Sequence, residues 1–280
     1  MEVRIGGCCL LSTVSEAYRA RELIMNFMLR DLRTRYRRTV LGWTWSLLNP
    51  ISSVLVYTIV FGVFLKSKPP PGVPSGQDLY ALYLISGLVA WNFVAGSVTG
   101  GMSSLVGNAG LIKKVYFPRV AVVVATVGSN VITLLIELLV VAIFFLIMGS
   151  NVLPWIPLLM VVVVLQTVWM IGIALMLSVL NAYFRDMQHL VGTVLLQLVF
   201  YLTPIVYPTT LPEKRLDGWM LTLFRSNPVF QIVSAYRSLL WDLRNPQMQT
   251  WAYLICGGGV VLWMGILVFD RYEPRLAEEL

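Results

Sequence analysis

Charge is what this sequence most lacks. Lys, Arg, Asp and Glu make up 12% of the 280 residues and hydrophobic residues 58%, where a soluble domain carries about a quarter charged residues. That balance excludes an ordinary soluble fold and indicates an integral membrane protein. Cysteine is scarce too: Cys8, Cys9 and Cys256 form an odd set with a vicinal pair, which rules out a disulfide framework. One histidine, His189, and the lack of clustered Cys, His or carboxylate ligands argue against a metal site. No G-x-x-x-x-G-K-[ST] phosphate loop is present, so nucleotide binding of the P-loop kind is not expected. Nor is there the paired-carboxylate, DDxxD-like cluster with which a membrane glycosyl- or prenyltransferase holds a metal-bound diphosphate. No signal peptide is expected, because the apolar stretch from Cys8 to Val14 is short and no small-residue cleavage site follows it. Ile5-Gly6-Gly7-Cys8 has only a faint lipidation-like pattern.

What the chain does have is a basic block feeding a long apolar run. Arg30, Arg33, Arg35, Arg37 and Arg38 lead into an apolar segment reaching Leu65, which places that end on the cytoplasmic side of a bilayer. Before it, Arg19, Glu22, Asn26, Arg30, Arg33 and Arg37 recur at steps of three or four, with Ala20, Leu23, Ile24, Phe27, Met28, Leu32 and Tyr36 on the opposite stripe. This pattern predicts an amphipathic helix within 16–41 lying on the inner membrane surface. The net charge of +7 lies beside apolar spans and not on a separate basic domain, so it sets topology and gives no reason to expect nucleic acid.

At roughly 17 to 25 apolar residues per crossing, six spans are expected: Gly42 to Leu65, Leu79 to Val106, Val120 to Met148, Val152 to Leu180, Leu190 to Val206 and Trp251 to Phe269. Six spans place both termini on one side. Fourteen Lys and Arg then fall on the cytoplasmic side and seven on the other, the bias expected when both ends are inside. One membrane domain over 1–280 follows, with spans one to five in 42–206, an outer segment 207–250, span six at 251–269 and a cytoplasmic tail 270–280. The outer segment is too long for a connector. Two helix-like pieces, Glu213 to Phe224 and Val229 to Leu243, flank Ser226-Asn227-Pro228 and are expected to cap an outer mouth as interfacial or re-entrant helices. The Pro-rich stretch 69–76 is expected to be an external turn. Glu137 is the clear ionisable group inside a span. It is a functional candidate by position, or a structural acid bonded to a neighbour such as Gln166 or Asn130. A secondary transporter needs several such groups to couple ion flow, so the driving energy is expected from another subunit.

Four blocks carry a family resemblance: LRDLRTRYRRTVLGWTWSLLNP at 29–50, NAGLIKKVYFPR at 108–119, YFRDMQHLVGTVLLQLVFYLTPIVYP at 183–208 and NPVFQIVSAYR at 227–237. With the order of spans they cover most of the chain from about residue 20; the first 15 residues lie outside the likeness. The chain resembles the membrane subunit of type-2 ABC exporters, most closely the Wzm-type permeases that move lipid-linked polysaccharides such as O antigen, teichoic acid, capsule or galactan. The resemblance implies a bacterial inner-membrane homodimer working with two cytoplasmic ATPase subunits that bind ATP and Mg, with no cofactor in this chain. It implies an all-α fold of six spans, an N-terminal interface helix and two outer gate helices before the last span. An exporter of drugs or other lipids is the nearest alternative.

The resemblance also assigns candidate residues. Arg30, Asp31, Arg33, Arg35, Asn108, Lys113, Lys114, Phe117, Pro118, Arg185 and Asp186 fall on the ATPase-coupling elements, although the arginines could equally anchor to anionic headgroups at about 1 kcal/mol each. Asn227, Pro228, Tyr236 and Arg237 fall on the outer gate, with Asn227-Pro228 as its hinge. Most aromatics near span ends suit an interfacial belt. Tyr57, Phe61, Trp91, Phe93, Phe200 and Tyr201 include residues deep enough to line a conduit, where ring faces suit sugars.

Overall fold

The computed structural model describes residues 19–35, 45–64, 66, 69–115, 117–215 and 218–276. Among these, every regular element is helical. Helix α1 (Arg21–Arg35) is followed by α2 (Trp45–Tyr57, continuing as a π-helical stretch Thr58–Phe64), α3 (Tyr80–Gly107), the short α4 (Ala109–Ile112), α5 (Val120–Ile147), α6 (Ile156–Tyr183) and α7 (Met187–Leu202). Three short helices follow, α8 (Thr210–Arg215), α9 (Trp219–Arg225) and α10 (Pro228–Leu240), and then α11 (Met248–Tyr272). Tyr36, Arg37, Arg38, the beginnings of the interface helix and first span, and the end of the tail lie outside the described residues.

Four helices are long and apolar enough to cross a membrane: α3, α5, α6 with its lead-in from Leu153, and α11. Two shorter apolar helices, Val54–Phe64 and Met187–Leu202, stand where the first and fifth spans were expected. The expected fifth span, Leu190 to Val206, loses its last turn for a local reason. Pro204 disfavours helical geometry at the residue before it, and Thr203 is extended at φ −95°, ψ 132°. Similarly, the expected helix Glu213 to Phe224 is divided into α8 and α9, with Gly218 at φ +58° in the gap. A positive φ suits glycine and terminates the helix.

Helix α3 is the centre of the bundle. In its apolar window 78% of residues are buried, against 28% for α11, and α2, α5, α6 and α10 all pack on it. Small residues permit this: a Cβ on Gly101 would sit 2.5 Å from that of Ala174 in α6. Helices α6 and α11 approach backbone to backbone, a Cβ on Gly265 falling 2.4 Å from the Gly172 carbonyl oxygen. Trp169 Nε1 donates to the Leu254 carbonyl at 2.9 Å across the same seam.

The bundle has two distinct ends. At the basic end α1, residues 108–119, the α6–α7 connection and the end of α11 come together, with Arg119 donating to the Glu273 carbonyl and the Tyr183 and Tyr272 rings 5.7 Å apart. At the other end Gln77 donates to the Met148 carbonyl at 3.2 Å. The Pro-rich stretch is strapped there to the turn after α10, where Trp241 Nε1 donates to the Pro70 carbonyl at 3.3 Å, the Val73 amide donates to Asp242 at 3.3 Å, and Ser75 Oγ donates to the Trp241 carbonyl.

Candidate coupling site, aromatic seam and outer lock

The amphipathic stripe of α1 is real, but its partner is protein. Leu23, Ile24, Phe27 and Met28 pack with Val122 and Ala125 of α5 and with Leu111 and Phe117, instead of lying wholly on the membrane surface as the sequence predicts. The fit depends on Gly128, where a Cβ would come within 2.9 Å of Met28. Met25 and Leu29, 52% and 40% exposed, are the apolar residues of α1 that face outward.

Arg30, Asp31, Asn108 and Phe117 are brought together at this joint. Arg30 Nη2 donates to Asn108 Oδ1 at 2.8 Å and to Asp31 Oδ1 at 2.9 Å. The other Asp31 oxygen accepts from Thr126 Oγ1 of α5 at 3.3 Å. Asn108 Nδ2 donates to the Ser104 carbonyl at 2.8 Å. The Phe27 and Phe117 rings meet edge to face at 5.6 Å, with the Arg30 guanidinium 4.8 Å from the Phe27 centroid. Sequence reasoning missed Phe27 and Thr126 as members of this cluster. Phe27 was visible in the stripe; nothing in the sequence marks Thr126.

Lys113, Lys114 and Val115, by contrast, point outward in the turn after α4, and Pro118 beyond them is half-buried. Arg33 is exposed on α1, and Arg35 is that helix's last residue. Arg185, Asp186 and His189 are exposed in the α6–α7 connection, whose short helical turn Met187–His189 packs against α3.

Five of the six conduit candidates form one aromatic seam. Phe61 and Tyr57 of α2 lie 6.3 Å apart, Tyr57 lies 6.3 Å from Phe200 of α7, and Phe200 lies 5.3 Å from both Trp91 of α3 and Tyr201. Trp91 is buried at 8% exposure while Tyr201 is 61% exposed. Phe93 is buried elsewhere in the core at 3% exposure, because two residues along a helix turn the side chain through about 200°.

At the far end, α10 is fastened at consecutive positions. Tyr236 Oη donates to Gln166 Oε1 of α6 at 2.7 Å, and Gln166 Nε2 donates to the Ala90 carbonyl of α3 at 2.9 Å. Arg237 donates to the Pro204 and Ile205 carbonyls at 2.5 and 2.6 Å, with its guanidinium 3.8 Å from the Tyr83 centroid. Tyr80 Oη donates to the Val206 carbonyl at 2.5 Å. The carbonyls released by the broken end of α7 are thus satisfied by Arg237 and Tyr80, as a water-poor interior requires. Gly87 leaves room for the guanidinium, since a Cβ there would lie 3.1 Å from Arg237 Nη2. Asn227 caps α10 by accepting from the Val229 amide at 3.0 Å and donates to Thr203 Oγ1 at 3.1 Å; Pro228 opens the helix. Glu137 is buried and accepts from Asn92 of α3. Gln166, suggested by the sequence as its partner, has both its amide oxygen and nitrogen engaged by Tyr236 and Ala90.

The ABC-2 type transporter family matches residues 22–241. The chain is 28% identical over 272 residues to an O-antigen export system permease protein of Myxococcus xanthus, covering 97% of this chain and all of the relative. It is 29% identical over 260 residues to an O-antigen export system permease protein of Klebsiella pneumoniae, covering 92% and 94% of the two chains. A polysialic acid transport protein of Escherichia coli is 23% identical over 261 residues, covering 89% and 92%. With four helices able to cross a bilayer and a family match from α1 to the end of α10, the chain is an integral membrane protein and belongs to the ABC-2 type transporter family.

Proposed function

We propose that this chain is the transmembrane subunit of an ATP-driven exporter that moves lipid-linked polysaccharide outward across the bacterial inner membrane. The observation that carries the substrate class is the near full-length likeness to permeases named for O-antigen export. In this reading α2 and α7 complete a set of six spans and both termini are cytoplasmic, in keeping with the excess of Lys and Arg at that end. Two copies pair with two separate ATPase subunits, which hold ATP and Mg. Lys113 and Lys114, exposed as Arg33 and Arg185 also are, supply the docking surface.

The aromatic seam supports a sugar conduit. Phe61, Tyr57, Phe200 and Trp91 make a continuous ring-lined strip across α2, α7 and α3, and ring faces bind sugars by apolar contact while polar edges reach hydroxyls. Residues 207–250 cap the outer mouth, with α10 as its fixed wall. The test is reconstitution in vesicles with the cognate ATPase, following glycolipid that appears on the far side. Export should require both ATP and the second polypeptide. Robust ATP hydrolysis by the isolated chain would sink the assignment.

A further inference from the structure

Lys113 and Lys114 face outward, but Arg30 and Asn108 face each other. Asn108 stands where α3 ends and α4 begins, its backbone carbonyl accepting from the Leu111 and Ile112 amides at 2.9 and 3.0 Å. Its side-chain nitrogen is committed to the Ser104 carbonyl, which leaves the amide oxygen to accept from Arg30. Arg30 also holds Asp31, and Asp31 in turn accepts from Thr126 of α5. The chain Ser104–Asn108–Arg30–Asp31–Thr126 therefore runs without a gap from α3 through α1 to α5. Arg30 Nη2 alone meets both Asn108 and Asp31, while Nε gives Asp31 a second bond at 3.2 Å; a lysine side chain ends one bond short of that Nη2 position and has no second nitrogen for Asp31, so it reaches one partner at the expense of the other.

We infer that Arg30 and Asn108 are positioning residues that clamp the docking loop to α1, so that helix and loop shift as one body when the ATPases close. This rests on the coupling role proposed above for the loop, and it differs from a surface role for Arg30. A headgroup anchor or an electrostatic contact with the ATPase needs the charge alone, whereas the clamp needs the reach of Nη2 to Asn108 with Asp31 still held.

The test places spin labels at Met25→Cys and Val115→Cys, both exposed, in a chain with Cys8, Cys9 and Cys256 replaced by serine and assembled with its ATPase. In the otherwise native chain the label-to-label distance should be single and the same without nucleotide and with ATP. In Arg30→Lys, which keeps the charge, and in Asn108→Ala, the distance should change by about 2 to 5 Å between the two states, the scale of helix shifts at interfaces. Asn108→Asp, which retains an acceptor for Arg30, should restore the single distance. The Arg30→Lys/Asn108→Ala double variant should be no worse than either single variant, because both break one link. A native distance that itself changes with ATP overturns the inference, as does an Arg30→Lys protein that holds the native distance in both states. A separate control tests the docking role: Lys113→Ala/Lys114→Ala should lose the copurifying ATPase. If that ATPase is retained the docking reading fails, and the labelled complexes still decide the clamp.

Discussion

Replacing Arg237 with methionine should be among the most damaging single changes at the end of the molecule remote from α1. The side chain is 5% exposed, donates to two carbonyls at 2.5 and 2.6 Å and lies 3.8 Å from the Tyr83 centroid. Methionine has similar length but no donor, so the Pro204 and Ile205 carbonyls lose their partners at about 1–3 kcal/mol each. Loss of a desolvated cation–π contact adds about 2 kcal/mol. Against this stands the relief of no longer burying a cation, several kcal/mol in the other direction. The net is a destabilisation of about 3 kcal/mol, or roughly 6 to 12 °C in thermal midpoint for a chain of this size. Tyr236→Phe removes one hydrogen bond, to Gln166, and should cost about 1 kcal/mol. Thermal unfolding of the two variants in detergent micelles, followed by intrinsic fluorescence, reads both values. An Arg237→Met protein melting within about 2 °C of the native one, or a Tyr236→Phe protein that melts lower still, would refute the role given to the guanidinium.

Alanine at both Lys113 and Lys114, which are exposed, should leave stability within about 0.5 kcal/mol yet reduce the ATPase recovered with the purified chain; full recovery places docking elsewhere. Trp91→Ala, at a site 8% exposed, should cost about 3–5 kcal/mol, whereas Tyr201→Ala, at 61% exposure, should spare the thermal midpoint and slow export. Equal losses of stability in the two would favour simple packing along the seam. Glu137→Gln keeps an acceptor for Asn92 and should preserve both export and stability, while Glu137→Leu leaves the half-buried Asn92 amide without that acceptor, at about 1 kcal/mol. Abolished export in the glutamine variant, with the protein still folded, would show that the carboxyl charge itself is used.

The sequence made the membrane class, the stripe on α1 and the break at Ser226-Asn227-Pro228 legible because each is a local pattern. What that stripe packs against was not legible. It meets α5 because Val122, Ala125 and Gly128 leave a shallow surface there, and small apolar residues look alike in sequence whether they face a helix or lipid. Hydropathy carried the fifth span through Ile205 and Val206, although Pro204 was in plain view. Those residues are buried by the contacts of Arg237 and Tyr80 with the turn, not by a helix. Arg237 is placed on the outer gate by the resemblance, which carries no sign of its burial. Its acceptors lie 33 and 32 residues away along the chain. Gathering the conduit candidates by residue type found the members of the seam but could not separate Phe93, whose place depends on helical phase. Thr126 had no signal, since a hydroxyl in an apolar run usually bonds its own helix, as Thr126 also does to the Val122 carbonyl at 3.0 Å.

The contact between Gly172 and Gly265 constrains how this chain can move. With the Gly172 oxygen only 2.4 Å from where a Cβ on residue 265 would stand, and the Val261 oxygen 2.6 Å from one on residue 172, neither helix can rotate without driving side chains into its neighbour's backbone. Helices α6 and α11 therefore behave as a single mast. On the proposed function, a passage wide enough for a polymer opens by displacement of other parts of the bundle. The candidates are α2 and α7, whose outward faces carry Leu55, Val63, Val194 and Leu198, each more than half exposed, and whose hold on the bundle includes the rings of Tyr57, Phe61 and Phe200.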